Sequence, residues 1–205
     1  MGVITCRSNV LRGVRELAKQ RPIKALYNYV GGKTGAWEVT ALTASHGRPL
    51  ASVSHVEIVN GPLERLPAGT AWVLSGLVRN TRHVIREEWD ARHSRTIPGG
   101  TRATCAALIP IRKTADWWAL DQMQRREMLE IRSWSDLPGQ QFLSAIVRRW
   151  QNGLDRSEEF DDVTWFEYAP CDSAAFDDLL AAWRVSEEWS YVERECDIRL
   201  VRTAC

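Results

Sequence analysis

Ala106-Ala107-Leu108-Ile109-Pro110-Ile111-Arg112-Lys113 and Val163-Thr164-Trp165-Phe166-Glu167-Tyr168 are two apolar runs that bracket a tryptophan pair, Trp117-Trp118, and a long charged stretch. The segment they delimit, residues 106–169, decides the fold. Each run is short, bounded by polar residues and rich in strand formers, the pattern of a buried strand. Within the first, alternation puts Cys105, Ala107, Ile109, Ile111 and Lys113 on one face. Pro110 inside it points to an edge or a bulge. Between the runs, residues 121–130 read as helix. Pro138 and Gly139 then interrupt, because both oppose a helix interior. Ser135 fits an N-cap for a renewed helix, with Pro138 tolerated in its first turn. That helix, about 140–150, carries Phe142, Leu143, Ile146, Val147 and Trp150 on one stripe and leaves Arg148 opposite. A strand, a crossover helix and a second strand make one half of a ferredoxin-like unit.

The flanks extend this plan. Downstream, Asp172 or Ser173 caps a final helix whose buried face is Phe176, Leu179, Leu180 and Trp183, and residues 188–201 close the chain as a strand. Upstream, residues 37–43 alternate as a strand and residues 72–78 form another. Residues 81–91 are helix-like and charged, and Ile97-Pro98-Gly99-Gly100 is the best internal boundary. Gly31-Gly32-Lys33-Thr34-Gly35 looks like a phosphate loop only superficially. It lacks the leading Gly of that pattern and precedes a strand, so it reads as a hairpin turn. Residues 8–20 form a short amphipathic helix ended by Pro22. The expected division is a helical extension over 1–28, one half over 29–100 and a second over 101–205.

Composition narrows the function classes. A chain of 205 residues, 44% hydrophobic, can bury a real core. Ten tryptophans call for a core or pocket to hold them. With 27 basic and 26 acidic residues the net charge is +1, which supplies no electrostatic argument for nucleic acid or an anionic membrane. No apolar run approaches the roughly 18 residues of a membrane span. The first 24 residues carry basic side chains at Arg7, Arg12, Arg15 and Lys19, among others, and no continuous apolar centre, so no secretory signal is expected. Five unclustered cysteines fit a reducing, cytoplasmic setting better than a disulfide framework.

A family resemblance rests on particular runs. They are Gly31-Gly32 through Trp37, Ala107 through Lys113, Trp117-Trp118, Arg125-Arg126, Thr164 through Pro170, Glu187-Glu188-Trp189, Tyr191 through Arg194, and Asp197 through Leu200. Together they resemble the chlorite dismutase family, most closely its short-chain dimeric subgroup. The resemblance covers residues 29–202. It implies an α+β fold of two ferredoxin-like halves in one chain, forming a dimeric α/β-barrel. It also implies haem b in the C-terminal half. There a histidine ligates the iron, a glutamate holds that histidine, a lysine lies on the same side, and a distal arginine steers small anions.

Carried onto this chain, Lys113 matches the lysine, Arg148 the distal arginine and Glu188 the glutamate. The axial histidine falls on Ser135, which is not a histidine, and all four histidines lie in the first half, at 46, 55, 83 and 93. Haem proteins use His, Cys, Met or Tyr as the strong axial ligand. The expectation is an enzyme with a repurposed cavity and no haem. In it Arg148 binds a small anionic organic substrate, Glu188 and Lys113 move protons, and Ser135, Trp117 and Trp118 line the wall. The alternatives are a haem-dependent oxidoreductase with altered or absent axial ligation, and a non-catalytic haem- or small-molecule-binding protein. Self-association as a homodimer or larger homo-oligomer completes the reading.

Overall fold

The computed structural model describes residues 26–78, 103–131, 147–153 and 159–203. The amphipathic helix expected over 8–20, the charged helix over 81–91, the boundary at 97–100 and Ser135 lie outside these residues.

Eight strands are formed: β1 (Leu26–Gly32), β2 (Trp37–His46), β3 (His55–Asn60), β4 (Trp72–Val78), β5 (Cys105–Lys113), β6 (Val147–Gly153), β7 (Asp162–Tyr168) and β8 (Val192–Arg202). They close into an antiparallel barrel in the order β1-β3-β2-β8-β5-β7-β6-β4. Both runs of four carry one order, β4-β1-β3-β2 and β8-β5-β7-β6. The seams are β2 with β8 and β4 with β6.

Alternation along each strand sends one set of side chains into the barrel and the other outward. Inside, Tyr29, Trp37, Val56, Leu74, Leu108, Trp165, Ile198 and Leu200 form the core. Trp165 anchors it, stacked on Tyr29 at 5.4 Å and edge-on to Trp37 at 5.2 Å. Outside, the second half carries a helix layer: α1 (Ala115–Ala119), α2 (Gln122–Ile131) and α3 (Ser173–Arg184). Phe176, Leu179, Leu180 and Trp183 of α3 pack on Ala107, Ile109, Ile111, Phe166 and Tyr168. Burying each of those large side chains contributes about 1.5–3 kcal/mol. β5 and β7 are covered on both faces, which is why each reads as an unbroken apolar run. Among the described residues no helix is long and apolar enough to cross a membrane.

Several expectations are met and others corrected. Cys105, Ala107, Ile109 and Ile111 do share the helix-bearing face. Pro110 marks neither an edge nor a bulge: β5 is paired on both sides, and its irregular step falls between Arg112 and Lys113. Residues 31–35 are not a hairpin turn. β1 and β2 both pair with β3, so residues 33–36 cross the end of that strand. Gly35 allows the crossing, since a Cβ there would sit 2.5 Å from the Val56 carbonyl. The helix expected over 140–150 is replaced at its C-terminal end by β6, in register with β7 from Val147↔Glu167 to Asn152↔Asp162. The expected strand over 188–201 begins later, because Glu187–Tyr191 is a 3-10 turn.

Candidate functional site

The site forms where β5 ends on the helix-bearing face. The β-bulge before Lys113 turns its side chain under the turn that precedes β8, leaving the residue 3% exposed. There Lys113 Nζ lies 2.7 Å from Glu188 Oε1. It also sits 4.5 Å from the centroid of the Trp117 ring. The Lys113 backbone N–H donates to Asp161 Oδ2 at 2.7 Å, so the end of β5 is tied to the start of β7. The second oxygen of Glu188 receives only a long contact, 3.5 Å, from Trp183 Nε1.

Trp117 reaches the cluster because Thr114 stops β5 and starts α1. Its hydroxyl accepts from the Trp117 N–H, and its own N–H donates to the Tyr191 carbonyl. The Trp117 ring then packs on Tyr191 at 5.7 Å. Lys113, Trp117 and Glu188, up to 75 positions apart, therefore meet in one enclosed place. An ion pair this buried is costly to break on one side, because the survivor is left charged and dry.

The other expected residues divide. Trp118 is 54% exposed beneath the Arg125 guanidinium and is not brought to the cluster. Neighbours on a helix point about 100° apart, so only one member of the pair can face inward. Arg148 lies on β6 rather than on a helix, the register partner of Phe166, whose ring packs in the helix layer. Sequence reasoning missed Asp161, Trp183 and Tyr191 as neighbours of the site. Trp183 reads as core, and nothing in the acidic run around Asp161 singles it out.

A second polar cluster lies farther along the same face. Glu195, Asp197 and Arg199 alternate outward on β8. Arg184 of α3 clamps Glu195 at 2.5 Å and reaches Asp197 at 3.1 Å, and Arg199 holds Asp197 at 2.6 Å and Asp177 at 2.8 Å. Burial pushes the Glu195 carboxyl up, against the pull of Arg184. Burial opposes the Arg199 charge, but Asp197 and Asp177 outweigh it and hold its pKa above the ordinary value. Burial likewise raises the Tyr168 phenol, against a hydrogen bond from Arg199. Ser45 donates to Glu195, and His46 Nδ1 meets the Ser45 hydroxyl at 3.1 Å. The carboxylate engages the hydroxyl instead of orienting the imidazole, so this is not a Ser-His-acid relay. Every charge here has a partner, and the cluster ties α3 to the seam between the halves.

A haem held through its iron needs a strong axial donor. The stretch 132–160, to which the resemblance assigns the family's axial histidine, has no His, Cys, Met or Tyr. Lys113 is taken by Glu188. The two described histidines, His46 and His55, stand on β2 and β3 in the other half. Neither that stretch nor these two histidines fits a haem held through its iron in the C-terminal half; His83 and His93 lie outside the described residues. Among the described residues no group of three or more His, Cys, Asp or Glu side chains is placed to hold a metal ion.

Neither a family model nor a curated protein matches the chain. Solved structures do. A dimeric chlorite dismutase from Nitrobacter winogradskyi is 40% identical, aligning over 86% of this chain and 99% of its own, with a TM-score of 0.74. Two structures of chlorite dismutase from Candidatus Nitrospira defluvii, each 14% identical, share the fold. One is an arginine-to-glutamate mutant, covering 90% of this chain and 93% of its own at a TM-score of 0.63. The other is a complex with imidazole, covering 91% and 94% at 0.60. Identity at that level over nearly the whole of the Nitrobacter protein, on a shared fold, shows that the chain belongs to the chlorite dismutase family.

Proposed function

We propose that this family member is an enzyme that acts on a small anionic organic substrate without haem, in the C-terminal half. One observation carries the reading. The enclosed Lys113–Glu188 pair is present at 2.7 Å, while the stretch that should supply an axial ligand offers none. Arg148 binds the substrate's carboxylate or oxyanion by charge-assisted hydrogen bonds. Lys113 and Glu188 exchange a proton along their hydrogen bond and pass it to the substrate. Trp117 flanks the pair, its ring 4.5 Å from Lys113 Nζ, and the resemblance assigns Ser135 to the same site.

The shared strand order of the two runs supports reading them as ferredoxin-like halves, 29–100 and 101–205, behind an extension over 1–28. The dimeric state named for the Nitrobacter relative supports a homodimer. A cytoplasmic location belongs to the same reading, supported by the cysteine spacing. The test is a thermal-shift panel of small mono- and dicarboxylates on the wild type and Arg148→Ala. A carboxylate that stabilises the wild type and not the variant is the expected result. Equal responses, or none across the panel, would remove Arg148 and the substrate class together. A second reading, a haem-dependent oxidoreductase with altered axial ligation, is favoured by the 40% identity to a chlorite dismutase. Stoichiometric uptake of haemin by the wild type would select it.

A further inference from the structure

The crossing between β1 and β2 has chemistry that the C-terminal site does not use. An open groove of about 370 Å³ lies beside it, lined by Gly32, Lys33, Ser52, Val53, Ser54, Gly69 and Ala71. This lining holds one cation, two hydroxyls and no carboxylate. A second lobe of about 280 Å³ shares Gly32 and Lys33 and adds Thr34 and Gly35. Its one acid, Glu57, is engaged by the Ala36 N–H at 2.8 Å.

The donors at the crossing are unspent. Lys33 has no ion-pair partner among the described residues, and the backbone N–H groups of Lys33, Thr34 and Gly35 find no acceptor among them. The Ser54 hydroxyl is already engaged, with the Gly32 and Lys33 carbonyls and with His55 Nδ1 at 3.1 Å. The Ser52 hydroxyl has no partner among the described residues. Glycines keep the floor open: a Cβ on Gly32 would stand 3.2 Å from the Gly69 carbonyl, and Gly69 itself has φ +79°. Trp72 braces the rim by covering Gly31 and donating to the Ala51 carbonyl at 3.0 Å. Successive free N–H groups beside a cation and a free hydroxyl are the donor set of an anion-binding concavity.

We propose that the crossing is a binding site for a small tetrahedral oxyanion, a free phosphate or the phosphate group of a larger ligand. It is separate from the Lys113–Glu188 pair, so its test leaves the reading above untouched. The test is amide NMR of the full chain titrated with inorganic phosphate at constant ionic strength. The expected result is saturating shifts at Lys33, Thr34, Gly35, Ser52 and Ser54, weakened about tenfold in Lys33→Met. Lys33 is exposed, so that variant folds. A parallel titration with a phosphomonoester separates the sources, tighter binding assigning the larger ligand. Absence of saturation into the tens of millimolar, or an unchanged titration of Lys33→Met, would overturn the proposal.

Discussion

β1 and β5 end on nearly the same words. Lys33-Thr34-Gly35-Ala36-Trp37 follows one and Lys113-Thr114-Ala115-Asp116-Trp117 closes the other. The outcomes are opposite. After β5, Thr114 caps a helix, Trp117 packs on Tyr191 and Lys113 is buried against Glu188. After β1, no helix forms. The chain crosses β3 within four residues, Trp37 drives into the barrel interior, and Lys33 stays in solvent. Matching residues at matching strand ends do not make matching sites. The surroundings decide: Trp117 and the turn at Glu187–Tyr191 close over Lys113, whereas residues 33–36 step across β3 and leave Lys33 exposed.

Three pairs of substitutions sharpen that contrast. The largest effect is expected at the ion pair. Glu188→Leu leaves Lys113 buried and unpaired and should lower unfolding stability by about 3–5 kcal/mol. Lys33→Met should stay within about 0.5 kcal/mol. Chemical denaturation measures both, and adding Lys113→Met to Glu188→Leu should recover most of the loss. The second contrast is steric. Gly35→Val forces a side chain onto the Val56 carbonyl and should cost about 1–3 kcal/mol, while Ala115→Val, in a helix, should cost about 0.5. The smallest concerns the two threonines. Thr114→Ala removes a cap and should cost about 1 kcal/mol, with Thr34→Ala again within about 0.5. Equal costs within any pair would break the comparison.

The same contrast explains what could be read from the chain. β5, β7 and α3 were legible because their burial imposes continuous apolar runs or a helical stripe along their whole length. β6 was not. Val147 and Trp150 are three apart and extend a helical pattern, and only pairing with β7 on one side and β4 on the other makes this stretch a strand. The crossing at Gly35 was illegible for a similar reason, since a glycine-rich loop between strands looks the same whether it turns back or steps over a neighbour. Lys113 and Glu188 were found through resemblance alone, since residues 75 positions apart leave no local trace of their contact. Trp118 shows the limit of resemblance, which could not tell which member of the pair faces inward.

The central claim is that the C-terminal half keeps the polar partners of a haem ligand without keeping a ligand. A haemin titration followed in the Soret region tests it directly, on the wild type and on Ser135→His. The account predicts no saturable one-to-one Soret band for the wild type and a saturable one for Ser135→His. A wild type that takes up haem as tightly as the variant would contradict it.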